Sequence, residues 1–135
     1  MAGAVITEAC ARIAAAFPTW LDATGEPSPP PAGRLPWFAV RLSLDNAVPV
    51  AMGDGRAMRT GDLAVSFAFR QPRTGNPEAV AQDLATAVAA CLTAAPADLG
   101  GAVWSILPGG VETDHETGDV RISRADLTFA IQIVG

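Results

Sequence analysis

Three features of the sequence predict an α+β domain with a mostly antiparallel sheet and two helices packed on one face. Two segments carry apolar residues at helical spacing, one at the N terminus and one past the middle of the chain. The stretches around them alternate with a period of two. Successive strands near the C terminus are joined by turn-forming residues rather than by helices, which makes neighbours antiparallel.

The first helix is expected over Ala4–Phe17, where Ile6, Cys10, Ile13 and Phe17 recur at spacings of three and four. Glu8 and Arg12 stand four apart with the acid first, the favourable order for a helical ion pair. Pro18 stops the helix, because the residue before a proline is pushed away from helical dihedrals. From Asp22 to Pro36 a proline-rich loop follows, held extended by Pro27, Pro29, Pro30 and Pro31. Phe38, Val40 and Leu42 then alternate with Ala39, Arg41 and Ser43 in a strand over Trp37–Leu44.

The segment Asp45–Asp62 matches no buried pattern and reads as a hairpin or extended arm around the turn Gly53-Asp54-Gly55. A strand at Leu63–Arg70 places Leu63, Val65, Phe67 and Phe69 on one face. Asn76 followed by Pro77 starts the second helix, combining a capping side chain with proline at the first helical position. Its stripe is Val80, Leu84, Val88 and Cys91 or Leu92, and it ends before Pro96. A strand from Ala102 to Leu107 bends at Pro108-Gly109-Gly110 and resumes through Thr113. The polar turn Glu116–Asp119 leads into a last strand, Val120–Val134, with Leu127, Phe129, Ile131 and Ile133 on one side. The order is α-β-(arm)-β-α-β-β. The second face of the sheet holds small and polar groups such as Ala64, Ser66, Ala68, Thr128 and Gln132.

A chain of 135 residues supports one genuine core, so residues 1–135 are read as one domain. Its 9 basic residues are all arginine; against 14 acids they leave a net charge of −5. That balance argues against tight binding of DNA or RNA, which needs a basic patch to neutralise phosphates. No apolar run approaches the ~20 residues that span a bilayer, and the N terminus lacks the basic leader of a signal peptide. Two cysteines, Cys10 and Cys91, are too few for a disulfide scaffold and read as reduced, buried thiols.

Catalytic motifs are sparse. The single histidine, His115, sits in Glu112-Thr113-Asp114-His115-Glu116, where a general base or a metal ligand competes with a solvated hairpin tip as the reading. No serine occupies a nucleophile elbow. Zinc ligands at metal-site spacing are missing, and Glu112, Asp114, Glu116 and Asp119 match no calcium loop. Gly53-Asp54-Gly55 lacks the later glycine and lysine of a phosphate loop. Trp20, Trp37 and Trp104 read as core or interface packing. The residues therefore predict no cofactor, no metal site and no enzyme. The arm, in contrast, carries Met52, Asp54, Arg56, Met58 and Arg59, types that suit a subunit interface.

Several stretches resemble the U-like tail terminators of long-tailed phages and related tailed particles such as gene-transfer agents. These are the strand kinked at Pro108-x-Gly110, the acidic turn, and the last strand reading Ala125-Asp126-Leu127-Thr128-Phe129-x-Ile131. Leu35-Pro36-Trp37-Phe38-Ala39-Val40 is similar to the family's first strand, and the element order agrees over nearly the whole chain. The proline-rich loop and most of the first helix depart from the pattern.

The resemblance implies a structural virion protein, assembled in the host cytoplasm, that forms a homo-hexameric ring at the head-proximal end of the tail. Such a ring caps the tail tube, stops its polymerisation and offers a joint to the head-completion or stopper protein. DNA would pass through the channel without specific binding. Met52, Asp54, Arg56, Met58 and Arg59 would then contact a neighbour or the tube-forming protein. The acids Glu112, Asp114, Glu116 and Asp119 would face the channel or respond to divalent cations. Two other readings stand beside this one. Another head–tail connector or tail-completion protein would share the class and differ only in partner. A small ligand-binding or regulatory α+β domain would instead show a pocket between helices and sheet.

Overall fold

Both helices form where the sequence starts and stops them. In a computed structural model that describes residues 2–25, 35–44, 48–49, 57–71, 75–94, 99–117 and 121–134, the first helix, α1, runs over Ala2–Ala16. The second, α2, runs over Pro77–Leu92, with the Asn76 side chain accepting from the Glu78 amide at 3.0 Å. Six strands complete the order: β1 (Leu21–Asp22), β2 (Trp37–Leu44), β3 (Val48–Pro49), β4 (Ala57–Arg70), β5 (Ser105–Thr117) and β6 (Arg121–Val134). They form a single sheet in the order β1-β2-β4-β6-β5, with β3 paired to β4. Every pairing is antiparallel except that of β1 with β2. The fold is the expected α+β architecture with a mostly antiparallel sheet. Among the described residues no helix is long and apolar enough to cross a membrane.

Alternation along the strands sorts side chains onto two faces. Phe38 and Val40 of β2, Leu63, Val65 and Phe67 of β4, and Leu127, Phe129 and Ile131 of β6 are buried together with Val5, Ala9 and Ile13 of α1 and with Ala81, Ala85, Val88 and Leu92 of α2. Ile13, Val88 and Leu92 are buried as expected, while the other buried helix positions, Val5, Ala9, Ala81 and Ala85, lie one residue from the expected stripe. Alanines at positions 9, 81 and 85 let the helices sit close to the sheet and to each other. Ile6, Cys10, Val80, Leu84 and Cys91 flank that line, half-buried. The two cysteines are accordingly free but not fully enclosed, unlike the sequence expectation. Phe17 stacks on Trp20 at 4.0 Å between ring centroids, and Trp20 on Phe67 at 5.1 Å, closing one end of the core.

Several boundaries differ from expectation, among them the start of β5, which lies at Ser105 and not at Ala102. The loop assigned to Asp22–Pro36 begins with a strand, because the Leu21 and Ala23 amides donate to the carbonyls of Pro36 and Phe38. Within the segment Asp45–Asp62 the expected hairpin is present, since Val48 and Pro49 of β3 pair antiparallel with Met58 and Ala57. Its second arm, however, belongs to the long strand β4, which pairs with β6 from Met58↔Val134 to Arg70↔Ile122. No apolar alternation marked it, because Arg59 and Gly61 occupy its helical-face positions, opposite Ile133 and Ile131 of β6. The strand expected to end at Thr113 continues to Thr117, interrupted by a register shift between Pro108 and Val111.

Two glycines are sterically required. A Cβ on Gly61 would overlap the carbonyl oxygen of Ser43 on the neighbouring strand, and one on Gly109 would stand 2.8 Å from the carbonyl oxygen of Thr128.

The second face is not uniformly bare. Trp37, Ala68 and Ala23 are buried there in a small cluster with Leu21, Leu35, Ala39 and Ile122. The guanidinium of Arg124 lies over the Trp37 ring at 5.6 Å. Toward the other end the face is open, with Asp62, Thr128 and Ala130 exposed.

Candidate assembly interface

The large apolar side chains in solvent among the described residues lie along one strand, with Leu107 on the second face opposite Ala130 and Val111 on the helical face opposite Leu127. Trp104 is 71% exposed, Leu107 63% and Val111 40%. All three lie on or just before β5, the terminal strand of the sheet. Isolated exposed apolar residues are ordinary, but three along one unpaired edge mark a contact surface. Ile106 and Leu107 are adjacent, so the pleat must point them to opposite faces. Ile106 enters the core and Leu107 is left outside with Ala130 opposite it. That adjacency is the signal by which the sequence could have revealed the patch. Trp104, expected to pack in a core or interface, is not in the core. Beside Leu107 a shallow groove of about 290 Å3 is lined by Gly61, Asp62, Ser105, Ala130 and Gln132.

Farther along β5 the edge turns acidic. Glu112, Asp114 and Glu116 are exposed and stand opposite Asp126, Arg124 and Ile122 of β6. Asp126 accepts from the Ser66 hydroxyl at 2.5 Å on the second face, so the three acids project on that same side. Among the described residues no three potential metal ligands converge. Asp119, the fourth member of the expected cluster, lies outside the described residues.

The alternate positions of β5 face α2. His115, expected either as a base or at a solvated turn, is instead half-buried in the strand. Its Nδ1 lies 2.7 Å from the Ser123 hydroxyl, and its Nε2 lies 2.6 Å from Oε2 of Glu78 in the first turn of α2. Gln82 Nε2 donates to Glu78 Oε1 at 3.0 Å, and the Thr113 hydroxyl donates to Oε2 at 2.8 Å. These donors, Gln82 first and then His115 and Thr113, hold the Glu78 carboxyl down at about 2. The serine, histidine and carboxylate are in one chain of contacts. However, Ser123 is fully buried, and the ring meets it through Nδ1 while the carboxylate takes Nε2. The cluster ties the β5–β6 pair to α2. Sequence reasoning missed it because Glu78 lies 37 residues from His115.

The arm residues are only partly placed. Met52, Asp54 and Arg56 lie outside the described residues. Met58 and Arg59 belong to β4, opposite Val134 and Ile133, and Arg59 is exposed. The structure therefore does not bring Arg59 into the β5 patch; it stands two strands away in the sheet.

No protein-family profile and no curated protein matches this chain. One solved protein, known only by a serial designation, aligns with 87% of this chain and 83% of its own at 17% identity, with a TM-score of 0.44. A likeness at that level carries no functional information.

Proposed function

We propose that this chain is a structural, self-assembling protein of the tail-terminator kind. On this reading it forms a closed ring, a homo-hexamer by the resemblance described above, which caps a tail tube and presents its other side to a head-completion protein. The observation that carries self-assembly is the run of exposed Trp104, Leu107 and Val111 along the terminal strand β5. A ring built from identical subunits is a heterologous assembly, so each copy must offer two different complementary surfaces. One of them needs apolar area that a monomer leaves in water, and β5 supplies it. The resemblance over Ser105–Ile133 falls on the β5–β6 pair that presents this edge.

The second face also carries the exposed Arg41 and Arg70, but its β5 side, with Glu112, Asp114 and Glu116 exposed, suits a channel wall that repels DNA. The exposed arginine Arg59 and the arm before it remain the assigned contacts to the tube or a neighbour. Nothing in this function uses a cofactor or a catalytic group, and the buried hydroxyl of Ser123 suits a structural clamp.

Light scattering on the purified protein, with and without magnesium, tests the ring, and addition of purified tail-tube protein tests the cap. A hexamer, alone or on the tube, supports the reading. Failure to form a ring in both settings removes it and favours a small α+β binding domain.

A further inference from the structure

β5 ends the sheet, and among the described residues no strand pairs with its outer side. From Glu112 to Thr117 it lies past the register shift and pairs with β6 one residue to one. That stretch is a regular, open edge.

The direction of its backbone groups follows from the other strands. The Gln71 amide donates to the Arg121 carbonyl, so odd-numbered residues of β6 bond toward β4 and even-numbered ones toward β5. Ile122, Arg124 and Asp126 stand opposite Glu116, Asp114 and Glu112, whose amides and carbonyls are therefore used inside the sheet. Thr113, His115 and Thr117 turn theirs outward. The side chains of Thr113 and His115 are meanwhile tied to Glu78 of α2, at 2.8 and 2.6 Å. Those contacts fix the strand against the helical layer and leave its edge free.

Natural sheets blunt an open edge with a bulge, a proline or charge. Residues 112–117 hold neither bulge nor proline, and only charge guards them. Glu112, Asp114 and Glu116 are exposed at alternate positions on the second face, and a further acid, Asp126, lies opposite Glu112. Arg124, opposite Asp114, is turned onto the Trp37 ring instead. Two such edges from two copies would set acids against acids, which disfavours pairing of β5 with itself. A strand with cations at alternate positions would answer all three acids. This chain holds no such strand, since it has no lysine and no two of its arginines stand two residues apart.

We propose that β5 takes an extended basic strand from a different protein, added along Thr113–Thr117 with its cations against Glu112, Asp114 and Glu116. Main-chain bonds to the outward residues supply affinity, and the acids select the partner. The inference deepens the assembly reading above by naming the chemistry of a partner other than a second copy. Once docked, the strand neutralises acids that a channel wall keeps bare, so the two uses of this half of β5 exclude each other.

The probe is a synthetic peptide of alternating arginine and valine, capped at both ends, bound to the full chain at low ionic strength and read by fluorescence anisotropy. The same peptide N-methylated throughout keeps its charges and loses its backbone donors. That loss should weaken binding about tenfold or more, and so should the combined change Glu112→Gln, Asp114→Asn and Glu116→Gln in the protein. Hydrogen exchange should show protection gained at the Thr113, His115 and Thr117 amides and unchanged at Asp114 and Glu116, which already bond to β6. An unmethylated peptide that fails to bind, a methylated one that binds equally well, or protection without this alternation overturns the edge docking. The peptide assay needs no ring, so light scattering of the protein alone judges the ring reading separately.

Discussion

The imidazole Nε2 of His115 lies 2.6 Å from Oε2 of Glu78, joining the outer strand of the sheet to the first turn of α2. Glu78 also benefits from its place at a helix N terminus, where a negative charge meets unpaired amides. The contact anchors the acidic half of β5, the strand that carries the candidate interface, to the helical layer.

Acid stability should report this contact. The Glu78 carboxyl is held at about 2 in the folded protein, below the ordinary 4.5. A lowered folded value contributes stability that is fully present above the ordinary value and is lost as pH falls from 4.5 toward 2. Thermal unfolding between those limits should show a steeper acid loss in the wild type than in Glu78→Gln. Parallel acid limbs would remove Glu78 as a contributor.

Removing His115 should cost stability at neutral pH. His115→Leu leaves the fully buried Ser123 hydroxyl without its ring partner. An unsatisfied buried hydroxyl costs about 1–3 kcal/mol, so urea unfolding should shift by that amount. Ser123→Ala, which removes the hydroxyl as well, should partly restore stability in the double variant.

Gly61→Ala should be among the most damaging small substitutions. Its new Cβ would overlap the Ser43 carbonyl oxygen, so strands β2 and β4 must separate locally. Overpacking of this kind costs about 1–3 kcal/mol. Loss of amide protection at Arg41 and Ser43, whose backbone groups bond to β4, would locate the damage by hydrogen exchange.

Trp104→Ser and Leu107→Ser should behave in the opposite way. Both side chains are mostly in solvent, so monomer stability should change by no more than about 0.5 kcal/mol. Association measured by light scattering should weaken. Unfolding of the monomer by either change would place these residues in a core rather than at an interface.

The cysteines should react slowly in the native state. Burial pushes the Cys10 and Cys91 thiols above their ordinary 9.0, which lowers the thiolate fraction at neutral pH. Labelling by a thiol reagent should be slower than for free cysteine and should accelerate on addition of denaturant.

How much was legible in the sequence varied with the range of the interaction. The cap and start of α2 were readable because Asn76 and Pro77 act on their own turn. The strand Trp37–Leu44 was readable because strict alternation survives where one face is buried. The first half of β4 was not, since Arg59 and Gly61 stand at its core-side positions and the buried apolar side chains opposite them, Ile133 and Ile131, come from β6. Of the candidate interface, Glu112, Asp114 and Glu116 stood out as a cluster sharing one face by their two-residue spacing, but which face they take was set by the bulge between Pro108 and Val111.

By itself, then, the sequence determined the fold class, both helices and the alternating faces of the strands, because those follow from local dihedral preference and hydrophobic period. Only the tertiary structure decided that β5 is an edge, that Trp104 and Leu107 stand in solvent, and that His115 reaches Glu78. Those outcomes depend on strand order and on pairings between residues far apart in the chain, which no local pattern encodes.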